Sequence, residues 1–204
     1  GNIGGSKSHE FHVLADSGED RIAFSTEGDY ASNVEMTPVI SPSSEPPPGT
    51  ESMQTVGTPK QHTVKEVCEF LHIPLSKCLK TLIVEGDRGG LIGIVLRGDH
   101  DLNVVKAQKL DGIASPLRFA GADEILAAIG SSPGSIGPVG LPLDILVDQD
   151  AALVSDFVCG ANKNGHHLTG VNWKRDLASP NIFDLREVVA GDLAPEGLGT
   201  LNIK

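Results

Sequence analysis

A proline-rich stretch between Thr37 and Pro59 is the feature that most limits how this chain can fold. Six of the 13 prolines lie in it, among serine, threonine and glycine residues. Proline removes a backbone hydrogen-bond donor, and the stretch offers little apolar surface to bury. We therefore expect a mobile or extended connector here, with separately folded segments before and after it.

The acidic charge of the chain is shared unequally between those segments. The 204 residues carry a net charge of −11. Residues 1–60 contribute −6 of this charge and residues 61–204 contribute −5, although the second segment is much longer. This balance argues against a protein that wraps along duplex nucleic acid or lies on an anionic membrane. A few local cations can still contact the end of a nucleic acid strand.

Cysteine usage and hydropathy predict the compartment. The three cysteines, Cys68, Cys78 and Cys159, are an odd number without the spacing of a disulfide framework, which favours a reducing environment. No apolar run approaches the roughly 18–20 residues of a membrane-spanning helix. Residues 1–6 lack the pattern of a signal peptide. We expect a cytoplasmic protein with no membrane partner.

Local patterns predict strands before the connector and a helix directly after it. Residues 10–15 and 21–24 resemble two strands joined by a turn at 16–20, which is at most a hairpin and indicates a piece of a larger unit. After the connector, Thr63 and Glu66 have capping-box spacing. Apolar residues at i, i+3, i+4 and i+7 then predict a helix to about residue 71.

The rest of the longer segment mixes predicted strands and helices. Residues 80–84 and 91–96 predict a hairpin with its turn at 87–90. Helices are predicted at 101–110, 123–129 and 151–157, and strands at 143–147 and 170–173, while 184–189 is ambiguous. This pattern predicts an α/β fold, a single mixed sheet packed with helices plus a small flanking strand unit. The strand order stays open.

The string from Ser132 to Gly140 is the most unusual in the chain. Three glycines and two prolines in nine residues predict a fixed turn, whose amide groups could converge on an anion or a carbonyl oxygen. The simpler alternative is a tight connection between a helix and a strand. A Walker phosphate loop is excluded, because no Gly-Lys-Ser/Thr sequence follows.

Three polar residues stand where they could line a pocket, and each has two interpretations. Lys80 opens an apolar strand, so it either reaches solvent or offers a point charge to a phosphate. Asp148, at the end of another strand, either binds a ligand or caps backbone groups. His167 follows a polar loop and either lines a pocket or fills the core.

Two further clusters leave alternatives open. The loop from Cys159 to His167 holds a thiol and two imidazoles, which could form a nucleophile pair, although paired metal-binding motifs are missing. Because Cys159 follows two apolar residues, a buried structural thiol is the simpler interpretation. Asp99 and His100, which follow a strand, either bind a ligand or make local hydrogen bonds.

Several long strings, in order along the chain, resemble bacterial-type prolyl-tRNA synthetase. Residues 4–20 and 30–35 resemble the class II aminoacylation domain just before its editing insertion. The strings that resemble the insertion itself are Lys80-Thr81-Leu82, residues 96–103, 134–139 and 160–173, and residues 191–204 resemble the return to the aminoacylation domain. Residues 39–59 have no counterpart in that family.

The resemblance implies an aminoacyl-tRNA editing domain, related to free-standing trans-editing deacylases. Its activity would be hydrolysis of alanine wrongly attached to tRNA(Pro), and its partner would be the acceptor end of that tRNA. A proline pocket cannot strongly reject alanine, because the lost apolar contacts are worth only ~1–3 kcal/mol, so a second, smaller site must remove the error. No cofactor is implied for editing. ATP and Mg would serve only the ligation reaction of a parent enzyme, which would be a homodimer.

The resemblance also assigns roles to two groups that would hold the ester. Lys80 would bind the phosphate or ribose of the terminal adenosine. The loop amides would bind the substrate carbonyl and orient the ester. This loop comprises Gly134, Ser135, Ile136, Gly137 and Pro138.

Other roles implied by the resemblance concern selectivity and chemistry. His167 would bound the aminoacyl side chain and exclude proline, and Asp148 would face the α-ammonium group. A positioned water, assisted by the free ribose hydroxyl, would attack the ester. Cys159 would then be structural, and no metal is implied.

The expected organisation follows from these matches. Residues 1–36 would be a flanking piece of the aminoacylation domain, 37–60 a Pro/Ser-rich linker, 61–190 the editing domain and 191–204 a return strand. The chain lacks the class II motifs and the anticodon-binding domain, so it should not activate proline.

Two other classes of function remain open at this point. The first is a non-catalytic module that docks the tRNA acceptor end or stabilises a synthetase. The second is a metal- or thiol-dependent hydrolase built on Cys159 with His166 or His167.

Overall fold

The computed structural model describes residues 20–41 and 44–204. Within them, the strands are β1 (Ile22–Ser25), β2 (Ala31–Asn33), β3 (Gln54–Gly57), β4 (Leu79–Glu85), β5 (Leu91–Arg97), β6 (Asp144–Asp148), β7 (Phe157–Gly160), β8 (His166–Val171), β9 (Ile182–Phe183) and β10 (Leu201–Ile203). The α-helices are α1 (Val64–Leu71), α2 (Val104–Ala107) and α3 (Ala122–Ile129). The strand predicted at residues 10–15, and the turn after it through residue 19, lie outside the described residues.

The chain divides into two compact units. The first contains the described residues 20–40 together with Val188–Lys204, and the second is Ser41–Glu187. In the first unit, β1 pairs antiparallel with β2 on one side and with β10 on the other. The strand predicted at 21–24 is thus confirmed. A small apolar core that includes Ala23, Val34 and Leu201 supports this sheet.

The second unit contains two sheets. In one, β4 and β5 form the predicted antiparallel hairpin, and β6 and β9 extend the sheet in parallel, in the order β4-β5-β6-β9. In the other, β8 pairs antiparallel with both β3 and β7. The predicted α/β class is confirmed, although the strands do not form the single sheet expected. A register shift between Phe157 and Cys159 interrupts β7, and an isolated bridge from Cys78 to Val158 joins the two sheets.

Helix α1 begins and ends as its sequence predicts. The Thr63 side chain accepts a hydrogen bond from the Glu66 amide, and the Glu66 carboxylate accepts one from the Thr63 amide. The helix ends at His72, which adopts the left-handed conformation with φ of 54°. Its buried residues, Val67 and Cys68, pack in one apolar cluster with Cys78, directly before β4, and with Val158 of β7, which holds the helix beside both strands.

Two other helix predictions are corrected. The helix expected at 101–110 is the shorter α2, capped by Asn103, whose side chain accepts from the Lys106 amide. The prediction of a helix at 151–157 is wrong. Its residues form a single 3-10 turn, Ala151–Leu153, and the chain then enters the fully buried strand β7. Asp156, with φ of 51°, separates the turn from the strand. No helix in the described ranges is long and apolar enough to cross a membrane.

Part of the predicted linker belongs to the second unit. Gln54–Gly57 forms β3 and pairs along β8, from Gln54 opposite Thr169 to Gly57 opposite His166. This part is extended, as expected, but it is docked by backbone hydrogen bonds instead of serving as a free connector.

The β7–β8 pair packs on an apolar core that includes Phe157 and Trp173, whose ring centroids are 5.3 Å apart.

Candidate functional site

One cavity of the second unit brings together residues from four separate parts of the chain. Its volume is about 210 Å³. The walls come from the start of β4, the N-terminal end of α1, the glycine- and proline-rich loop, and the β7–β8 pair. Among the predicted site residues, the cavity is lined by Lys80, Gly134, Ile136 and His167.

Lys80 supplies the cation of the cavity. It lies on β4 opposite Leu96, and its side chain is 21% exposed. Its Nζ is 3.8 Å from Oδ1 of Asp101, a carboxylate that is 85% exposed. An ion pair of this length with a solvated partner contributes little to stability. The ammonium group can therefore exchange this partner for an anionic group of a ligand.

His167 is a buried wall of the cavity, only 4% exposed. Its Nδ1 lies 2.6 Å from Oγ1 of Thr58, which is itself 1% exposed. Burial lowers the pKa of His167, which favours the neutral imidazole. The side chain is therefore suited to act as a hydrogen-bonded, uncharged wall. Thr58 is not among the residues predicted from sequence, because nothing local distinguishes it from the other threonines of the connector.

The glycine- and proline-rich loop is held in shape by Asn162. The Gly137 amide donates to Oδ1 of Asn162 at 2.9 Å, and Nδ2 of Asn162 donates to the carbonyls of Gly137 and Val139 at 3.0 Å each. A Cβ at Gly137 would lie 1.9 Å from the Gly160 carbonyl oxygen. Gly137 thus shapes the loop through close backbone approach, and its amide is not available to a substrate carbonyl as expected.

The amide donors that remain are at Gly134 and Ile136. The Ser135 amide donates to the Ser132 carbonyl at 3.1 Å, and Pro138 has no N–H group. In the part of the chain that the structure describes, the amides of Gly134 and Ile136 have no hydrogen-bond acceptor. Both residues line the cavity. They are the loop amides that could bind an oxygen of a ligand.

Asp148 lies outside the cavity lining, contrary to its expected role. Its Oδ1 accepts from the amides of Leu185 and Arg186 at 2.9 and 3.0 Å, and its Oδ2 accepts from the Asp150 amide at 3.0 Å. Burial raises the pKa of this carboxyl despite those bonds. Asp148 therefore ties the end of β6 to the segment after β9. This is the second of its two interpretations from sequence, in which it caps backbone groups.

Asp148 also belongs to a cluster with His100 and Asp150, whose potential ligand atoms lie within 4.8 Å of one another. Two guanidinium groups already meet this cluster. Arg186 Nε is 2.5 Å from Oδ2 of Asp150, and Arg97 Nη2 is 3.0 Å from Nε2 of His100. Because Arg186 neutralises Asp150 and both guanidinium groups repel a metal ion, the cluster is an internal network of ionic and hydrogen-bonded groups.

Cys159 has the properties of a structural thiol. It is fully buried on β7 and is not in a disulfide. Burial raises its pKa to about 12, so the nucleophilic thiolate is not populated near neutral pH. His166, the other imidazole of the same loop, bonds through Nδ1 to the carbonyl of Asn164 at 2.8 Å.

The fold and the cavity define an α/β protein of the editing-domain, deacylase-like class. Residues 58–177 match the aminoacyl-tRNA editing domain family. Because the match covers more than half of the chain, the chain belongs to that family. Membership implies aminoacyl-tRNA deacylase activity and a tRNA substrate, and it confirms the predicted editing domain. Attachment to a prolyl-tRNA synthetase stays a prediction.

Solved structures resemble the chain at the level of the fold. The hypothetical protein APE2540 is 28% identical, with a TM-score of 0.56, over 67% of this chain and 92% of its own. A protein described as a candidate trans-editing enzyme for prolyl tRNA synthetase is 22% identical, with a TM-score of 0.57, over 67% and 87%. A scaffold from computational epitope grafting is 22% identical, with a TM-score of 0.57, over 67% and 88%.

Proposed function

We propose that this chain is the editing insertion of a prolyl-tRNA synthetase, with short flanks of the aminoacylation domain, and that it hydrolyses Ala-tRNA(Pro). The observation that carries the proposal is the meeting at one cavity of Lys80, His167 and the loop amides of Gly134 and Ile136, which have no acceptor among the described residues. The sequence resemblance assigns these positions to the ester substrate. The partner would be the acceptor end of tRNA(Pro), and the parent synthetase would be a homodimer.

The proposed chemistry is hydrolysis by a positioned water. The ester carbonyl oxygen accepts hydrogen bonds from the amides of Gly134 and Ile136, which stabilise the negative charge that develops on it. Water adds to the carbonyl carbon, the bond to the ribose oxygen breaks, and the proton lost by water ends on that ribose oxygen. The free neighbouring ribose hydroxyl assists the transfer. Lys80 holds the phosphate or ribose, so its contribution is orientation and charge.

Selectivity for alanine is supported by the character of the walls. The cavity is small, and neutral His167 and the apolar residues Val64 and Leu82 line it. In this proposal, His167 bounds the part of the cavity that takes the aminoacyl side chain, so that a methyl group would fit and the proline ring would not, which would complement the weak discrimination of a proline pocket.

The position of the domain within a longer enzyme is supported by how the chain divides. The described residues 20–40 and Val188–Lys204 form one unit, and Ser41–Glu187 forms another between them. This arrangement is what an insertion between two strands of a host domain requires.

The test is deacylation of preformed Ala-tRNA(Pro) by the wild-type chain, Lys80→Ala and the exposed control Lys109→Ala. Loss of a charge-assisted contact predicts a drop of about 10- to 100-fold in kcat/KM for Lys80→Ala only. None of the three proteins should hydrolyse Pro-tRNA(Pro). Equal rates for wild type and Lys80→Ala would overturn the role of Lys80. Binding of a non-hydrolysable alanyl-adenosine without turnover would instead identify a non-catalytic docking module.

A further inference from the structure

A segment upstream of the family match lies against the strand that carries His167. We call residues 44–57 the upstream strap. The family match begins at Thr58, immediately after it. The last part of the strap is β3, in which Val56 stands opposite His167 on β8. The strap therefore adds an edge strand directly beside a wall of the cavity.

Asp156 clamps the middle of the strap. Its carboxylate accepts hydrogen bonds at 3.1 Å from the Thr50 amide, the Thr50 hydroxyl and the Glu51 amide. Asn172 supports the clamp, because its Nδ2 donates to the same carboxylate at 2.8 Å and its Oδ1 accepts from the Asp156 amide at 2.9 Å. Although desolvation opposes it, these donors hold the pKa of Asp156 well below its usual range. The clamp is therefore ionised at neutral pH.

Other contacts fit the strap closely to the same surface. The Ser155 hydroxyl donates to the Pro47 carbonyl, and Nη1 of Arg175 donates to the Glu51 carbonyl at 2.7 Å. At Gly49, an added Cβ would lie 2.4 Å from Nδ2 of Asn172. These contacts all lie upstream of β3, so they fix the strap before it reaches the cavity.

The strap ends at the cavity. The Thr58 amide donates to the Gly165 carbonyl at 2.7 Å, and the Thr58 hydroxyl meets Nδ1 of His167. His62 and Thr63, a few residues further on, line the cavity themselves. Displacement of the strap would therefore withdraw Thr58 from His167 and loosen one wall of the cavity.

We propose that the upstream strap is a positioning element of the editing site, and that Asp156 acts from outside the cavity by docking the strap so that Thr58 holds His167. This inference rests on the proposed function. It makes Asp156 a positioning residue that works through the Thr58–His167 contact.

A double-mutant cycle tests this path. Ala-tRNA(Pro) deacylation is measured for Asp156→Ala, Thr58→Val, the double variant and the exposed control Asp111→Ala, with circular dichroism to confirm folding. Each of the two single variants should lose about tenfold or more in kcat/KM, as expected for a misplaced site group. The loss of kcat/KM in the double variant should be no larger than the loss in the less active of the two single variants, because both changes break one path. Multiplying losses, or wild-type rates in Asp156→Ala, would overturn the proposal.

The ring nitrogens of His167 give a second readout that does not depend on activity. In ¹⁵N NMR spectra of the full chain, Asp156→Ala should shift the Nδ1 resonance of His167 towards its position in Thr58→Val, while Asp111→Ala should leave it unchanged. An unchanged resonance in Asp156→Ala would contradict the proposal. If Asp156→Ala does not fold, Asp156→Asn keeps the volume and removes the charged acceptor. Absence of turnover in the wild type would defeat the proposed function, and the resonance would still decide the role of the strap.

Discussion

The Thr58 hydroxyl lies 2.6 Å from Nδ1 of His167, a contact between residues 109 positions apart in the chain. Both side chains are almost completely buried, at 1% and 4% exposure. A buried imidazole nitrogen without a partner costs about 1–3 kcal/mol. The hydroxyl therefore both stabilises His167 and fixes the orientation of its ring at the cavity wall.

Replacement of Thr58 by valine should affect stability and activity together. Thr58→Val keeps the shape and removes the hydroxyl, so we expect a loss of about 1–3 kcal/mol in the free energy of unfolding and slower Ala-tRNA(Pro) deacylation. Urea unfolding and steady-state kinetics measure the two effects. Thr58→Ser retains the hydroxyl and should stay close to wild type. A fully active Thr58→Val would show that the contact is only structural.

Stability should decrease as the solution becomes acidic. Burial lowers the pKa of His167, and burial together with Arg186 and Arg97 lowers that of His100. Below the ordinary pKa of about 6.5, the unfolded chain binds protons that the folded chain does not. The free energy of unfolding therefore decreases as the pH is lowered, until the pH is below the folded-state pKa values of the two histidines.

Urea titrations at pH 7.5, 6.5 and 5.5 measure this dependence. The decrease should be steeper for wild type than for His167→Asn, which lacks one of the two groups. The same slope in both proteins would indicate that His167 does not contribute.

Alanine substitutions at two glycines should differ sharply in their effect on the free energy of unfolding. At Gly137 an added Cβ would lie 1.9 Å from the Gly160 carbonyl oxygen, a backbone atom that cannot easily move. We expect Gly137→Ala to lose about 1–3 kcal/mol or more and to slow deacylation. At Gly57 an added Cβ meets nothing within 4 Å, so Gly57→Ala should be neutral or slightly stabilising. Thermal unfolding of the pair provides the comparison, and similar melting temperatures would refute the close approach.

The thiol of Cys159 should be dispensable for activity. Its burial and raised pKa remove it from nucleophilic chemistry, so Cys159→Ala should keep the wild-type kcat/KM while losing some stability from the smaller side chain. The assay repeated with a metal chelator should give the same rate. Inactivity of folded Cys159→Ala would restore a thiol-dependent mechanism.

The elements that were predicted well are those whose signals are local. The Thr63–Glu66 capping box defines α1, Gly130 ends α3 with φ of 82°, and the turn at 87–90 joins β4 to β5. The prediction of a helix at 151–157 failed because tertiary packing decides this segment: Phe157 and the residues after it are buried in β7, where the strand pairs with β8.

The candidate site divides in the same way. The sequence alone predicted Lys80, His167 and the glycine- and proline-rich loop as residues of an editing site, because the strings that contain them resemble those of a known editing domain. Only the tertiary structure decided which loop amides are open, that Asp148 caps backbone groups away from the cavity, and that Thr58 at the end of the predicted linker supports His167. The physical reason is that hydrogen bonds between distant strands saturate some groups and leave others free, and such pairing is not encoded in any single stretch of sequence.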